Sequence, residues 1–305
     1  MTVKLPNVRQ GCQCPFTILK DSRDAHSDSR AHSILALDFA SDTIYSRLMS
    51  EEDKHQARIF LHRGDLQQAR LCYEKAVRDD RENGSRQALS DSLGNLGNVC
   101  AMMDAYTEAA ICYREVLAMQ RELQDWNAIG QTLANLGNVH AEAGQPEKAR
   151  SYYLEALDIL EPLPDQRALG VLYSNLALQD ATVGRTEGAI TNFNRALECH
   201  RAVGDEDGLA VTYSQLGKTF LQAGDRQRAK KCLNNASEHF IKLGNEQGEA
   251  AVLRLLADLY EQAGNEESAI RCLERVVLVD SRYGLLQYRQ DKERLSGLLE
   301  QRLKP

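Results

Sequence analysis

From residue 50 to residue 283 the apolar positions fall at three- and four-residue spacing, in blocks broken at regular intervals by glycine or a short polar residue. Leu133–Leu157 (LANLGNVHAEAGQPEKARSYYLEAL) shows the unit clearly. Leu133, Leu136 and Val139 share one face of a helix, the signature of an amphipathic segment. Gly144 supplies a left-handed stop, and Pro146 opens a second helix where proline is tolerated. The pattern then repeats every 40 residues, with turn positions at Gly64, Asp104, Gly144, Gly184, Gly224 and Gly264. An alanine follows each turn (Ala69, Ala109, Ala149, Ala189, Ala229, Ala269), and a larger residue follows that (Tyr73, Tyr113, Tyr153, Phe193, Leu233, Leu273). Upstream of each turn stands a small residue, at Ala57, Gly97, Gly137, Ala177, Gly217 and Ala257. Small residues at fixed places let two helices approach closely, so each unit predicts an antiparallel helix pair. Ser85, Asp125, Asp165, Asp205 and Asn245 are N-cap candidates in the same phase. Gly84, Gly204 and Gly244 precede three of them as stops. These signals leave room for helices of roughly 15 to 18 residues.

A small residue, a turn glycine, an alanine and an aromatic at these offsets resemble the tetratricopeptide repeat, whose usual period is about 34 residues. The longer period is similar to the long-helix variant of Pins/LGN-type polarity scaffolds and many bacterial repeat proteins. LxNLGNV at Leu93–Val99 and Leu133–Val139 looks much like theirs. The resemblance implies an all-α, right-handed superhelical solenoid of six helix pairs over residues 50–283, with capping helices at both ends. Pins-type scaffolds carry G-protein-binding segments after the repeats; here 22 residues follow, so that activity is not implied.

Outside the repeats, residues 1–49 form an N-terminal extension, irregular over 1–30 and helical over 31–48, with Ser50 and Asp53 as a capping box opening the first repeat. The extension either caps the first repeat or lies in the groove as an internal ligand. Residues 284–305 predict an amphipathic C-terminal helix with Leu285, Leu286, Leu295, Leu298, Leu299 and Leu303. It caps the array with a polar outer face or forms a dimer.

A net charge of −7 gives no basic footprint for nucleic acid. No apolar run is long enough to cross a bilayer, and MTVKLPNVRQGCQCPF lacks the apolar core of a secretory signal. A cytoplasmic location is expected, with no nucleic-acid or membrane partner. Cys72, Cys112, Cys232 and Cys272 share one repeat position. Successive repeats are too far apart for disulfides, so these thiols read as small apolar filler.

Catalytic signals are weak. Gly217-Lys218-Thr219 resembles the end of a phosphate-binding loop, but the first glycine of that motif would fall at Thr212, inside a repeat helix. Cys12, Cys14, His26 and His32 lack zinc spacing. His140 falls at a packing position. No enzyme, cofactor or metal site is expected.

In the family, the first helix of each pair lines the concave face. Two positions flanking the small residue read Asn95/Asn98, Asn135/Asn138, Asn175/Leu178, Gln215/Lys218 and Leu255/Asp258. The resemblance implies Asn95, Asn98, Asn135, Asn138 and Asn175 as a peptide-binding ladder, since an amide can both accept and donate along a peptide backbone. The alternative is that these amides bond across neighbouring repeats or face water. The family's carboxylate clamp is matched only in part: Lys54 and Asn95 fit, but Arg58, Gln131 and Asn135 do not. Lys218 and Arg254 add positive charge, opposed by Asp258 and Glu261. The expectation is a non-catalytic adaptor holding a peptide segment or helix of a partner protein. Self-assembly through the end caps, and a regulatory subunit of an enzyme or transcription factor, are the alternatives.

Overall fold

The structure, a computed structural model, describes residues 42–302. Among them are thirteen α-helices and no strand. The irregular 1–30 segment and most of the expected 31–48 helix lie outside the described residues. Contacts divide the chain into two compact units, Met1–Met102 and Met103–Pro305.

The first unit holds α1 (Asp42–His62), α2 (Leu66–Asn83) and α3 (Arg86–Met102), each packed on the next. The expected start at Ser50 is absent, because α1 runs through it unbroken. Ser50 Oγ instead donates to Asp80 Oδ1 at 2.7 Å, and Lys75 Nζ donates to Asp53 Oδ1 at 3.0 Å. Both side chains therefore join α1 to α2 rather than cap a terminus. Asp80 is buried and also meets Ser92 Oγ at 2.5 Å and Lys54 Nζ at 3.1 Å. Burial alone would lower the Lys54 ammonium; Glu51 and Asp80 outweigh it and hold its pKa above the ordinary lysine value.

The second unit holds α4 (Tyr106–Leu123), α5 (Trp126–Glu142), α6 (Pro146–Leu160), α7 (Gln166–Thr182), α8 (Thr186–Ala202), α9 (Glu206–Gln222), α10 (Arg226–Lys242), α11 (Glu246–Gln262), α12 (Glu266–Tyr283) and α13 (Tyr288–Arg302). Each helix packs on its successor, and α7 also touches α5 and α9. The caps follow the sequence: Asp125, Asp165, Asp205 and Asn245 each accept from the backbone N–H three residues on. Asp65, Asp225 and Asn265 do the same for the second helices of their pairs, which the sequence reading had not singled out. Gly144 takes the left-handed turn at φ 69° and Asp104 takes it at φ 60°; aspartate is one of the few side chains that tolerate this region.

Gly137 shows why small residues recur. A Cβ there would lie 2.4 Å from Tyr153 Cε1, so α5 and α6 can meet at this distance only with glycine. Cys112, Cys232 and Cys272 are buried free thiols and Cys72 is half-buried. Burial pushes the Cys232 thiol up to about 11, as expected of apolar filler.

One position near the end of each second helix also keeps the 40-residue phase, buried at Asp80, Leu160, His200, Phe240 and Asp280 and half-buried at Gln120. Leu160 sits where Gly130 leaves room, and His200 fills the space left by Gly170 and Gly208. Gln120 Oε1 accepts from Thr132 Oγ1 at 2.8 Å. In the first and last repeats the residue is aspartate, held by Lys54 and Arg254, which are themselves five periods apart.

Candidate functional site

The first helices of the pairs carry the predicted binding residues. In the first unit, Asn95 and Asn98 are half-buried on α3. In the second, Asn135 and Asn138 on α5 and Asn175 on α7 are half-buried, while Lys218 on α9 is exposed. Because α7 touches both α5 and α9, the amides of the second unit lie on neighbouring helices.

Asn138 is the hub. Its Oδ1 accepts from Tyr153 Oη at 2.7 Å and from Asn175 Nδ2 at 3.0 Å. Two donors fill the two lone pairs of that carbonyl. What remains among the described residues is directional: the Asn138 amide keeps its two N–H groups, and Asn175 keeps its carbonyl and one N–H. Asn135 makes no hydrogen bond among the described residues. The face thus presents donors and acceptors on adjacent helices, matching the one N–H and one C=O of each peptide unit. Asn138 and Asn175 do bond across repeats, as the alternative reading held, yet the bond leaves both amides with unused valences.

Farther along, the charged positions are closed. Arg254 Nε donates to Asp291 Oδ2 at 2.7 Å, and its Nη2 donates to Asp280 Oδ1. Asp280 is fully buried, at 0% exposed, and Asp291 of α13 nearly so, at 5%. Burial works against the Arg254 charge, and these two carboxylates outweigh it, raising its pKa above the ordinary arginine value. Asp258 and Glu261 both pair with Arg294 of α13, the latter at 2.7 Å. The sequence expectation for Arg254 therefore changes: its guanidinium ties α11 to α12 and α13 rather than standing open. The mixed polarity foreseen here is internal neutralisation by the C-terminal helix. Lys218 makes no ion pair among the described residues.

Tyr153 is the residue that sequence reasoning passed over, having counted it as packing alone. A signal was present. Tyrosine at 153 accompanies asparagine at 138, whereas Phe193, Leu233 and Leu273 accompany Leu178, Lys218 and Asp258. The hydroxyl occurs where an amide can receive it. His140 bonds through Nδ1 to Gln145 Oε1 at 3.1 Å and stacks on Tyr152. Gly217-Lys218-Thr219 lies within α9, where Thr219 Oγ1 donates to Gln215 O at 3.0 Å, so no loop is present to wrap a phosphate. Among the described residues no cluster of His, Cys, Asp or Glu is placed to hold a metal ion, and no helix is long and apolar enough to cross a membrane.

Comparison with known proteins agrees with the repeat fold. A family model described as tetratricopeptide repeat matches residues 52–122, 89–162 and 167–242, and a second of the same description matches 214–282. Among proteins of curated function, none matches the sequence. Solved structures similar in fold include BtubC from P. vanneervenii, at 20% identity over 80% of this chain and 93% of that one, with a TM-score of 0.61. A signal-transduction ATPase with a tetratricopeptide-repeat sensor from Pyrococcus horikoshii is 15% identical over 83% of this chain and 43% of that one, TM-score 0.67. Aspartyl phosphate phosphatase F from Bacillus subtilis is 13% identical over 86% and 72%, TM-score 0.64. At such identities the likeness concerns fold alone.

Proposed function

Since the chain belongs to the tetratricopeptide-repeat family, we propose that it is a non-catalytic protein-interaction scaffold whose first helices hold a segment of a partner protein. The observation carrying this reading is the set of open amide valences on Asn135, Asn138 and Asn175. Those groups would bond the backbone of an extended segment or the exposed turn of a helix. Lys218, exposed and without an ion pair among the described residues, would favour an acidic side chain beside them. Asn95 offers the same chemistry on α3 within its own unit, with Asn98 one turn farther on the same helix. Arg254 is left out of the contact set because Asp280 and Asp291 already hold it.

The test is affinity capture from native extract, followed by synthesis of the captured segment and titration. Asn135→Ala is the informative variant, because Asn135 supports no internal bond. A fall in affinity of about fivefold or more, the loss of one or two net hydrogen bonds, is expected with melting unchanged. Equal affinities for wild type and variant would sink the proposal.

A second reading, self-association through the C-terminal end, is favoured by the exposed apolar side chains Leu278, Tyr283, Leu286 and Leu299. Sedimentation equilibrium tests it: a mass that stays monomeric as concentration rises removes it.

A further inference from the structure

The chain carries a net charge of −7, yet α10 reads RQRAKKCLNNASEHFIK, with five Lys or Arg against one Glu. Four of those cations, Arg226, Arg228, Lys230 and Lys231, crowd its N-terminal half and are exposed. This placement opposes helix stability, because positive charge near an N-terminus meets the positive end of the macrodipole. Helices α4, α6, α8 and α12 place glutamate in the first turn; α10 places no acid there. On α12 of the same unit, by contrast, the cations are matched to carboxylates, Arg271 to Glu267, Arg275 to Glu249 and Arg282 to Glu246. On α10 only Arg228 is matched within this stretch, by Asp225. Arg226, Lys230 and Lys231 form no ion pair among the described residues. Lys230 Nζ rests instead 4.5 Å from the centre of the Tyr260 ring.

We propose that the N-terminal half of α10 is a docking face for a carboxylate-rich peptide segment of a partner protein. It is a second contact surface, independent of the amide face described above. Arg226 and Lys230 are one turn apart on the same side of the helix, with Lys231 adjoining. The rise from the first to the last is about 7.5 Å, close to the Debye length of about 8 Å at physiological ionic strength. The footprint suits a short run of glutamates or aspartates. It does not suit a long polyanion, which would run on to Glu238, two turns beyond Lys231 on the same helix, and be repelled there. Tyr260 beneath Lys230 adds an apolar floor beside the charges.

The experiment uses the full chain and a fluorescein-labelled peptide with four consecutive glutamates, read by anisotropy at low and at physiological salt. A matched glutamine peptide and a single-stranded oligonucleotide serve as comparison probes. The glutamate peptide is expected to bind wild type, and to lose about tenfold or more in affinity to the R226E/K230E/K231E triple variant. Lys242→Glu, at the other end of the same helix, should change it by less than about threefold. Asn135→Ala should leave it unchanged, which separates this proposal from the amide-face reading. The triple variant should melt at or above wild type, since its glutamates now favour the dipole. Should it melt lower, Lys231→Glu alone, at an exposed position, should still weaken the peptide by about threefold. Absence of binding by wild type at low salt, equal binding by the reversed variants, or tighter binding of the oligonucleotide than of the peptide would each overturn the proposal.

Discussion

The amide face of α5 and α7 and the charged side chains of α11 both lie on first helices of their pairs, Asp258 at the same repeat position as Asn138, and have opposite fates. On α5 and α7, Asn138 and Asn175 bond once to each other and keep donors and an acceptor open. On α11, Arg254, Asp258 and Glu261 are all taken up by α12 and α13. The difference follows from what lies beside each helix. A neutral amide satisfied on one side can leave its remaining groups to water at little expense. A charge at the last repeat faces an added helix that excludes water, and it must then be paired. The polar residue type at a repeat position does not by itself mark a binding site; whether a further element covers it decides.

The largest way to break this contrast is Arg254→Ala. It leaves Asp280 and Asp291 buried without their cation, and we expect a loss of about 3–5 kcal/mol in urea unfolding. A loss below about 1 kcal/mol would mean that the pair behaves as a surface bridge and that the face is open after all.

His200 offers a third kind of polar seat, on α8 between the open face and the closed one. Its Nδ1 meets Asp205 Oδ2 at 3.0 Å, and Asp207 and Arg167 stand near. Burial lowers its pKa; Asp205 works the other way and is outweighed. The folded state therefore binds fewer protons than the unfolded state below the ordinary histidine range. Stability is complete above pH of about 6.5 and falls as pH drops toward the folded pKa, by at most about 1.4 kcal/mol per pH unit. His200→Gln should flatten that dependence in melts taken across the acid range; an unchanged slope would assign it to another group.

Smaller effects separate the two amides. Asn138→Ala should lower stability by about 1 kcal/mol, because Tyr153 and Asn175 lose their shared acceptor. Tyr153→Phe should do much the same and, combined with Asn138→Ala, should add little further, which a double-mutant cycle would read. Asn135→Ala should fall within about 0.5 kcal/mol of wild type. Equal stability losses at 135 and 138 would show that the first has an internal role like the second.

The helix order, the turns and most caps were legible because they depend on neighbours within a few residues. Asp125 and its counterparts cap by reaching the N–H three positions on, and that distance is written in the sequence. The small residue facing Tyr153 was legible too, since a repeated packing geometry repeats its steric demand; Gly130, which makes room for Leu160, was not singled out. The false start at Ser50 was not, because a serine followed by an acid caps a helix only if its hydroxyl is free. Here Asp80, thirty residues on, receives it at 2.7 Å.

By itself, then, the sequence determined the period, the helix pairs, the small-residue contacts and the asparagine positions, all of which rest on local spacing repeated in phase. Tertiary structure decided which polar groups remain available. Asn135 stays open, Asn138 is half-engaged by Tyr153 and Asn175, and Arg254 is closed by Asp280 and Asp291. Hydrogen bonds and ion pairs between helices depend on distances of a few ångströms across residues far apart in the chain, and only the packed helices set those distances.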